Sequence, residues 1–149
     1  MWDAHMVGDT GKVVGVDHIP ELIELSRRNV KAHDERLLTD GRIELRCGDG
    51  NTEGFGGPFD AIHVGAAAAQ LPESVGAAQG DDRKRIWTDA GEDEQLVAQL
   101  GRPGRMVIPV GPEGDQALFR VERDADGRVH MERLFGVRYV PLVAAGGRR

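Results

Sequence analysis

The stretch GKVVGVDHIPELIELSRRNV, residues 11–30, decides the fold. Its first part, KVVGVD (12–17), is a β-branched run of the kind that forms buried parallel strands. Pro20 then suits the first turn of a helix. The inward face of that helix is predicted from helical spacing to comprise Leu22, Ile23, Ser26 and Val30. A strand followed at once by an amphipathic helix predicts an α/β protein.

The rest of the chain extends this alternation and then ends in a hairpin. Further strands are predicted at residues 42–47, 57–65 and 105–111. A short helix is predicted within 92–104, stopped by Gly101 and Pro103. Residues 116–142 read as two antiparallel strands around the turn DADG at 124–127. We therefore expect a mostly parallel sheet with a C-terminal antiparallel hairpin, in one domain over 1–149 with 72–92 as an exposed insertion.

Composition limits the classes of partner. The chain has 149 residues, 40% of them hydrophobic, which is typical of a folded globular protein. Its formal net charge of -6 argues against binding to the phosphates of a nucleic acid. Its longest apolar runs fall well short of the roughly 20 residues that cross a bilayer, so no membrane partner is expected. His5, His33 and His130 lack a neighbouring Cys or carboxylate at metal-ligand spacing, so no metal site is expected. Cys47 is the only cysteine, which favours a reducing cytoplasm and an inert, largely buried thiol.

Acidic residues end two neighbouring strands of this predicted sheet. Asp17 follows VVGV and Asp49 follows ELRCG, where open parallel sheets bind ligands. One such carboxylate can accept both hydroxyls of a ribose, and the other can accept an adenine amino group beside Gly50, which has no Cβ. Helix capping or turn chemistry remains an alternative for Asp17. His18 can equally stack on a base or fill the turn.

Five ordered blocks of the sequence resemble a known family. The blocks are MVGDTGKVVGVDHIPEL (6–22), GRIELRCGDG (41–50), PFDAIHVGAAA (58–68), GRMVIPVGP (104–112) and LFGVRYVPL (134–142). Together they resemble the protein-L-isoaspartate (D-aspartate) O-methyltransferases, which use S-adenosyl-L-methionine on a Rossmann-like fold. This resemblance covers most of the chain outside 69–100.

The resemblance assigns roles to seven residues of this sequence. It implies that Asp17 holds the cofactor ribose with His18 beside the nucleoside, and that the block containing Asp49 and Gly50 contacts the adenine. Three further residues are implied as substrate contacts: Gly65, Ala66 and Val140.

The resemblance also implies a reaction. An isoaspartyl carboxylate of a damaged protein or peptide attacks the sulfonium methyl, and the ester can collapse to a succinimide and then partly to normal aspartate. A carboxylate is already a nucleophile at neutral pH, so in-line alignment is the main task of such an enzyme. A cytoplasmic monomer is the expected form.

The sequence departs from the family pattern at its start. In the family, a Gly-rich loop follows the first strand, and an N-terminal region carries the catalytic hydroxyl. Neither is found before Val13 in this sequence, so no catalytic residue is predicted. We expect an N-terminally truncated methyltransferase sheet lacking that strand and loop, of low stability on its own. Two alternatives stay open: a non-catalytic remnant that binds adenosine or a partner, and a fragment of a nicotinamide dehydrogenase.

Overall fold

A computed structural model describes residues 2–50, 55–68, 84–87 and 95–142. The described chain separates into two compact units, the first ending at Phe55 and the second beginning at Gly56. Each unit has its own sheet and its own hydrophobic core.

The first unit is built on a pair of parallel strands with helices before and between them. Its elements are α1 (Trp2–Met6), β1 (Val13–Asp17), α2 (Pro20–Asp34), α3 (Arg36–Thr39) and β2 (Ile43–Cys47). The two strands pair in register from Val13 opposite Ile43 to Asp17 opposite Cys47. Both strands lie where the sequence predicts them, because β1 is a β-branched run and β2 alternates apolar with charged residues. The buried core of this unit comprises Ala4, Val30, Leu37 and Ile43.

Helix α2 follows the predicted pattern except at one apolar position. It starts at Pro20, and Ile23 and Val30 are buried as predicted. Leu22 was placed on the same inward face, but it is 41% exposed, so that prediction is wrong. The buried stripe is narrow because only a two-stranded sheet and a small core lie against the helix in this unit.

The second unit contains a five-stranded sheet. Its elements are β3 (Phe59–His63), β4 (Lys84–Trp87), α4 (Gln95–Ala98), β5 (Leu100–Val110), β6 (Gln116–Arg123) and β7 (Val129–Val137). The strand order is β3-β5-β6-β7-β4, with β3 and β5 parallel and the three other pairs antiparallel. The α/β class with a C-terminal antiparallel hairpin is confirmed, and the antiparallel part is larger than predicted because β4 joins it.

The region around Gly101 differs from its prediction. The described part of the helix ends at Ala98, and β5 already begins at Leu100 and continues through Gly101 and Pro103. The ladder explains how the strand tolerates them: Phe59 pairs with Leu100, but Ala61 pairs with Arg105, so the residues between form an irregularity. A proline without an N–H is accommodated at such a bulge.

The expected insertion at 72–92 is partly strand. Residues 84–87 form β4, which pairs antiparallel with β7 from Lys84 opposite Glu132 to Trp87 opposite Val129. The rest of the predicted insertion, 72–83 and 88–92, lies outside the described residues. The sequence of this segment gave no strand signal because four residues are too few for an alternating pattern.

The hairpin between β6 and β7 is confirmed. Its turn is closed by the Gly127 N–H, which donates to the Asp124 carbonyl at 3.0 Å, and Gly127 has a φ of 88°. The core of this unit is larger than that of the first. It comprises Val64, Val97, Leu100, Met106, Ile108, Val110, Val121, Val129 and Met131. Across the described ranges, none of the helices has the length and apolar character that spanning a membrane requires.

Candidate functional site

The carboxyl ends of β1 and β2 lie side by side in the first unit. Asp17, the last residue of β1, is paired with Cys47, the last residue of β2. The Gly48 N–H donates to the Asp17 carbonyl at 3.0 Å, which carries the pairing one residue further. Asp17 and His18 therefore lie at the same edge of the sheet as Asp49 and Gly50. The first pair lies where β1 ends, and the second pair lies in the turn after β2. We call these four residues the strand-end site.

The Asp17 carboxylate is shared between the turn and solvent. Its Oδ1 accepts a hydrogen bond from the Ile19 N–H at 2.9 Å, and the side chain is 37% exposed. The N-cap of α2 is Ile19, which makes no side-chain cap, so the turn alternative holds and the capping alternative does not. Within the described ranges Oδ2 accepts no hydrogen bond. One oxygen of an exposed carboxylate is thus left to accept from a ligand.

His18 and Cys47 flank this carboxylate. Nδ1 of His18 lies 3.7 Å from Asp17 Oδ1, and its imidazole is 35% exposed. The Cys47 thiol is exposed and donates weakly to the His18 carbonyl at 3.8 Å. The expectation of a buried thiol is therefore wrong, because Cys47 is the last residue of its strand and lies at the sheet edge rather than within it.

Asp49 and Gly50 differ in accessibility. Asp49 is buried, with 5% of its surface exposed. Gly50 is half-buried, and a Cβ built there would meet only Val16 Cγ1 at 4.0 Å, an ordinary contact. No packing within the described chain therefore requires glycine at this position.

A chain of charges behind the strand-end site was missed by sequence reasoning. The Arg46 guanidinium donates to the Phe55 carbonyl at 2.7 Å and to Glu44 at 2.6 Å, and Lys12 lies 2.6 Å from the other Glu44 oxygen. Hydrogen bonds from Arg46 first, and then from Lys12, lower the pKa of Glu44 to about 2. Arg46 thereby ties β2 to Phe55, beyond the turn that carries Asp49. Alternating charged residues on a strand are an ordinary solvent-face pattern, so the sequence carried no specific signal.

The predicted substrate residues come together in the second unit. Gly65 and Ala66 follow β3, Val140 follows β7, and Ala67 pairs in parallel with Pro141. The Ala67 N–H donates to the Val140 carbonyl at 2.8 Å, and the Leu142 N–H donates to the Ala67 carbonyl at 2.7 Å. We call residues 65–68 and 139–142 the platform. Gly65 is exposed, Ala66 is half-buried and Val140 is 69% exposed.

The end of β5 supports the other side of the platform. The Ala68 N–H donates to the Pro109 carbonyl at 2.9 Å, and the Gly111 N–H donates to the Ala68 carbonyl at 2.9 Å. Gly111 has a φ of 128°, and a Cβ there would overlap the Asp115 carbonyl oxygen. Glycine is required here by the backbone itself.

Gln116 is a further residue that the sequence analysis missed. It is buried at the start of β6, and its carboxamide forms hydrogen bonds with the backbone of Tyr139 in the platform. The available signal was a polar residue directly before the apolar residues 117–119, after a glycine-containing loop.

The family profile of protein-L-isoaspartate(D-aspartate) O-methyltransferase (PCMT) matches residues 3–80 and 84–147. The chain belongs to this family. Curated relatives include protein-L-isoaspartate O-methyltransferases 2 and 1 of Arabidopsis thaliana, 39% and 38% identical over 95% of this chain. The protein-L-isoaspartate O-methyltransferase of Caenorhabditis elegans is 34% identical over 95% of this chain. The resemblance inferred from the five sequence blocks is thereby confirmed.

Solved structures of PCMT proteins share the fold. One, described as a putative protein-L-isoaspartate O-methyltransferase from Plasmodium falciparum in complex with S-adenosyl-L-homocysteine, matches 89% of this chain with a TM-score of 0.67 and 26% identity. Another, a protein-L-isoaspartate O-methyltransferase, matches 97% with a TM-score of 0.67 and 21% identity. The Rossmann-like α/β fold is confirmed.

The PCMT relatives are longer than this chain. It covers 39%, 53% and 54% of the length of the two Arabidopsis proteins and the Caenorhabditis protein, and 52% of the Plasmodium chain. Membership of the PCMT family is thus established for the chain, while the roles of its individual site residues remain predictions. Over the described ranges no group of three or more His, Cys, Asp or Glu residues is arranged to hold a metal ion.

Proposed function

We propose that this chain serves methyl transfer from S-adenosyl-L-methionine to the carboxylate of isoaspartyl residues in damaged proteins. The observation that carries the proposal is the Asp17 carboxylate in a member of the PCMT family. It ends a parallel strand, is 37% exposed, and keeps Oδ2 without a hydrogen bond from the described residues. A solved relative is described as a complex with S-adenosyl-L-homocysteine, the product of such a transfer.

The strand-end site has the donor and acceptor chemistry for a nucleoside. Asp17 Oδ2 accepts from a ribose hydroxyl, which is a charge-assisted hydrogen bond, while Oδ1 keeps the turn in place through Ile19. His18 lies beside this carboxylate and offers its ring to the nucleoside. Asp49 and Gly50 contact the adenine from the neighbouring strand end. These residues hold and orient the cofactor and take no part in bond making.

The platform is proposed to contact the acceptor. Gly65, Ala66 and Val140 present a surface of backbone and apolar atoms, with the Val140 side chain in solvent. When bound, S-adenosyl-L-methionine would supply a methyl group carried on a positively charged sulfur. A carboxylate oxygen of the acceptor would bond to the methyl carbon as the carbon–sulfur bond breaks, leaving S-adenosyl-L-homocysteine. The task of the platform residues is to hold the isoaspartyl segment so that its carboxylate stays aligned.

We propose that the protein acts as a monomer in the cytoplasm, with damaged proteins and not nucleic acid or membranes as its partners. The net charge of -6 and the single cysteine support this proposal. Size-exclusion chromatography with light scattering measures the monomer, for which the expected mass is 16.2 kDa.

A calorimetric titration with S-adenosyl-L-homocysteine tests the cofactor assignment. We expect saturable binding with one molecule per chain. The second part uses radiolabelled S-adenosyl-L-methionine with an isoaspartyl peptide, and with the same peptide carrying normal aspartate as its control. Methyl incorporation that depends on the isoaspartyl linkage supports the proposal. A folded chain that does not bind S-adenosyl-L-homocysteine contradicts it.

A further inference from the structure

The carboxamide of Gln116 satisfies both backbone groups of Tyr139. Its Oε1 accepts from the Tyr139 N–H at 2.6 Å, and its Nε2 donates to the Tyr139 carbonyl at 3.1 Å. Gln116 is 5% exposed, so these bonds are shielded from competing water. A side-chain amide that pairs with the N–H and carbonyl of one residue acts as a neighbouring strand residue would.

This contact lies where the ladder between β6 and β7 stops. The last backbone pair joins Gln116 to Val137, and the chain then leaves β7. The Gln116 side chain continues the pairing two residues further, to Tyr139. From Val140 onward the segment is held instead by Ala67, through the two hydrogen bonds of the platform. Tyr139 is thus held by β6, and the residues after Tyr139 are held by Ala67.

The locked backbone carries an exposed apolar side chain. Val140 directly follows Tyr139, and 69% of its surface is exposed. A backbone held by buried hydrogen bonds presents that side chain in one place, which reduces the conformational entropy lost when a partner binds. If the Tyr139 backbone were not held, the same atoms of Val140 could still contact a partner, but binding would cost more conformational entropy.

We propose that Gln116 is a positioning residue for the acceptor: by holding Tyr139 it places Val140 and, through Ala67, the neighbouring Ala66 for the isoaspartyl segment. This inference rests on the proposed function of the platform. Gln116 itself is buried and acts only through the Tyr139 backbone.

Substitution of Gln116 tests the inference through binding and hydrogen exchange. Gln116→Leu keeps a similar size and removes both hydrogen bonds, whereas Gln116→Glu keeps an acceptor for the Tyr139 N–H and removes the donor. The quantities to be measured are the affinity for an isoaspartyl peptide, the affinity for S-adenosyl-L-homocysteine and the amide exchange rate of Tyr139. For Gln116→Leu we expect peptide affinity to fall by about tenfold or more, with faster exchange at Tyr139 and cofactor affinity within about twofold. Gln116→Glu should also weaken peptide binding, because a carboxylate oxygen in place of Nε2 would face the Tyr139 carbonyl oxygen with no proton to donate.

Val129→Ala is the control for a general loss of stability. Val129 is buried at the start of β7, opposite Arg123, whereas Gln116 pairs with Val137 at the end of β7 that leads into the platform. It should lower thermal stability while leaving peptide affinity unchanged. If Val129→Ala weakens peptide binding as much as Gln116→Leu does, the effect is one of stability and the inference is overturned.

The remaining outcomes separate the inference from the proposed function. If the parent binds the peptide and Gln116→Leu binds it equally well, the positioning role is wrong while the proposed function stands. If the parent binds S-adenosyl-L-homocysteine but no isoaspartyl peptide, the acceptor assignment itself is wrong, and the positioning role falls with it.

Discussion

The strand-end site and the platform are built from different parts of the chain. At the strand-end site the binding group is a side chain, the Asp17 carboxylate, placed by the regular end of β1. In the platform the defining groups are backbone N–H and carbonyl groups of Ala67 and Ala68, joined to two distant segments. The strand-end site needs a charged residue at one position. The platform needs three segments in register, and almost any small residue could supply its backbone hydrogen-bonding groups.

This difference determines where each region is vulnerable. A site made of a side chain is sensitive to removal of that side chain and tolerates changes elsewhere. A site made of backbone is sensitive to residues that shape the chain without contacting a ligand, such as Gly111 and Gln116. The following predictions test that distinction.

The largest effect is expected at Gly111. Gly111→Ala places a Cβ against the Asp115 carbonyl oxygen at a φ of 128°, so the backbone must move. We expect a loss of unfolding free energy of about 3 kcal/mol or more, above the usual cost of a strained residue. Thermal or denaturant unfolding measures it.

Gly114 provides the matched control in the same loop. It also has a positive φ, of 90°, but nothing lies within 4 Å of a Cβ built there. Gly114→Ala should therefore cost only about 1 kcal/mol. Equal losses in the two variants would mean that conformational strain, and not the contact with Asp115, governs the Gly111 position.

The next effect is on cofactor affinity at Asp17. Asp17→Ala removes the ribose acceptor and should weaken S-adenosyl-L-homocysteine binding by about 1.5–3 kcal/mol, the range for a hydrogen bond to a charged group. Asp17→Asn retains an oxygen for the Ile19 N–H, so it separates the turn from the charge. Titration calorimetry of the three proteins gives the affinities.

Two results would contradict this assignment. Equal affinity in the parent and Asp17→Ala would exclude Asp17 as the ribose acceptor. Full recovery of affinity in Asp17→Asn would mean that the turn, and not the carboxylate charge, supports binding. Isoaspartyl-peptide affinity serves as the comparison measurement, because the platform contains no part of Asp17.

The smallest effect is the pH dependence of stability at Glu44. Its folded-state pKa of about 2 lies below the ordinary value of 4.5, so its pairing with Arg46 and Lys12 stabilises the fold above about pH 5. That contribution is lost as the pH falls from 4.5 toward 2. The difference in Tm between the parent and Glu44→Gln should therefore be largest near neutral pH and shrink toward pH 2. High salt should reduce it as well.

Glu113→Gln is the control for the pH experiment. Glu113 is exposed, lies in the second unit, and has no ion pair with a residue of the described ranges. Its Tm should follow that of the parent at every pH. If Glu113→Gln and Glu44→Gln gave the same pH profile, the pairing of Glu44 would not contribute to stability.

The predictions from sequence succeeded where local pattern is sufficient. The strand predicted at 12–17 and observed at Val13–Asp17, the helix that starts at Pro20 and the hairpin around 124–127 were predicted because periodicity and turn residues specify them locally. The exposure of Leu22 and Cys47 was not predicted, because burial depends on which elements lie opposite and how far they extend. Strand β4 was missed for a related reason: its pairing with β7 is long-range, and four residues carry no period of their own.

The sequence by itself determined the family, the α/β class and the position of Asp17 at the end of a strand. These follow from residue identities and short-range spacing, which the chain carries in any conformation. Only the tertiary structure decided that the segments around Ala67, Pro109 and Val140 meet, and that Gln116 holds Tyr139. The physical reason is that their interactions are made by backbone groups, which every residue possesses and which acquire specificity only through register.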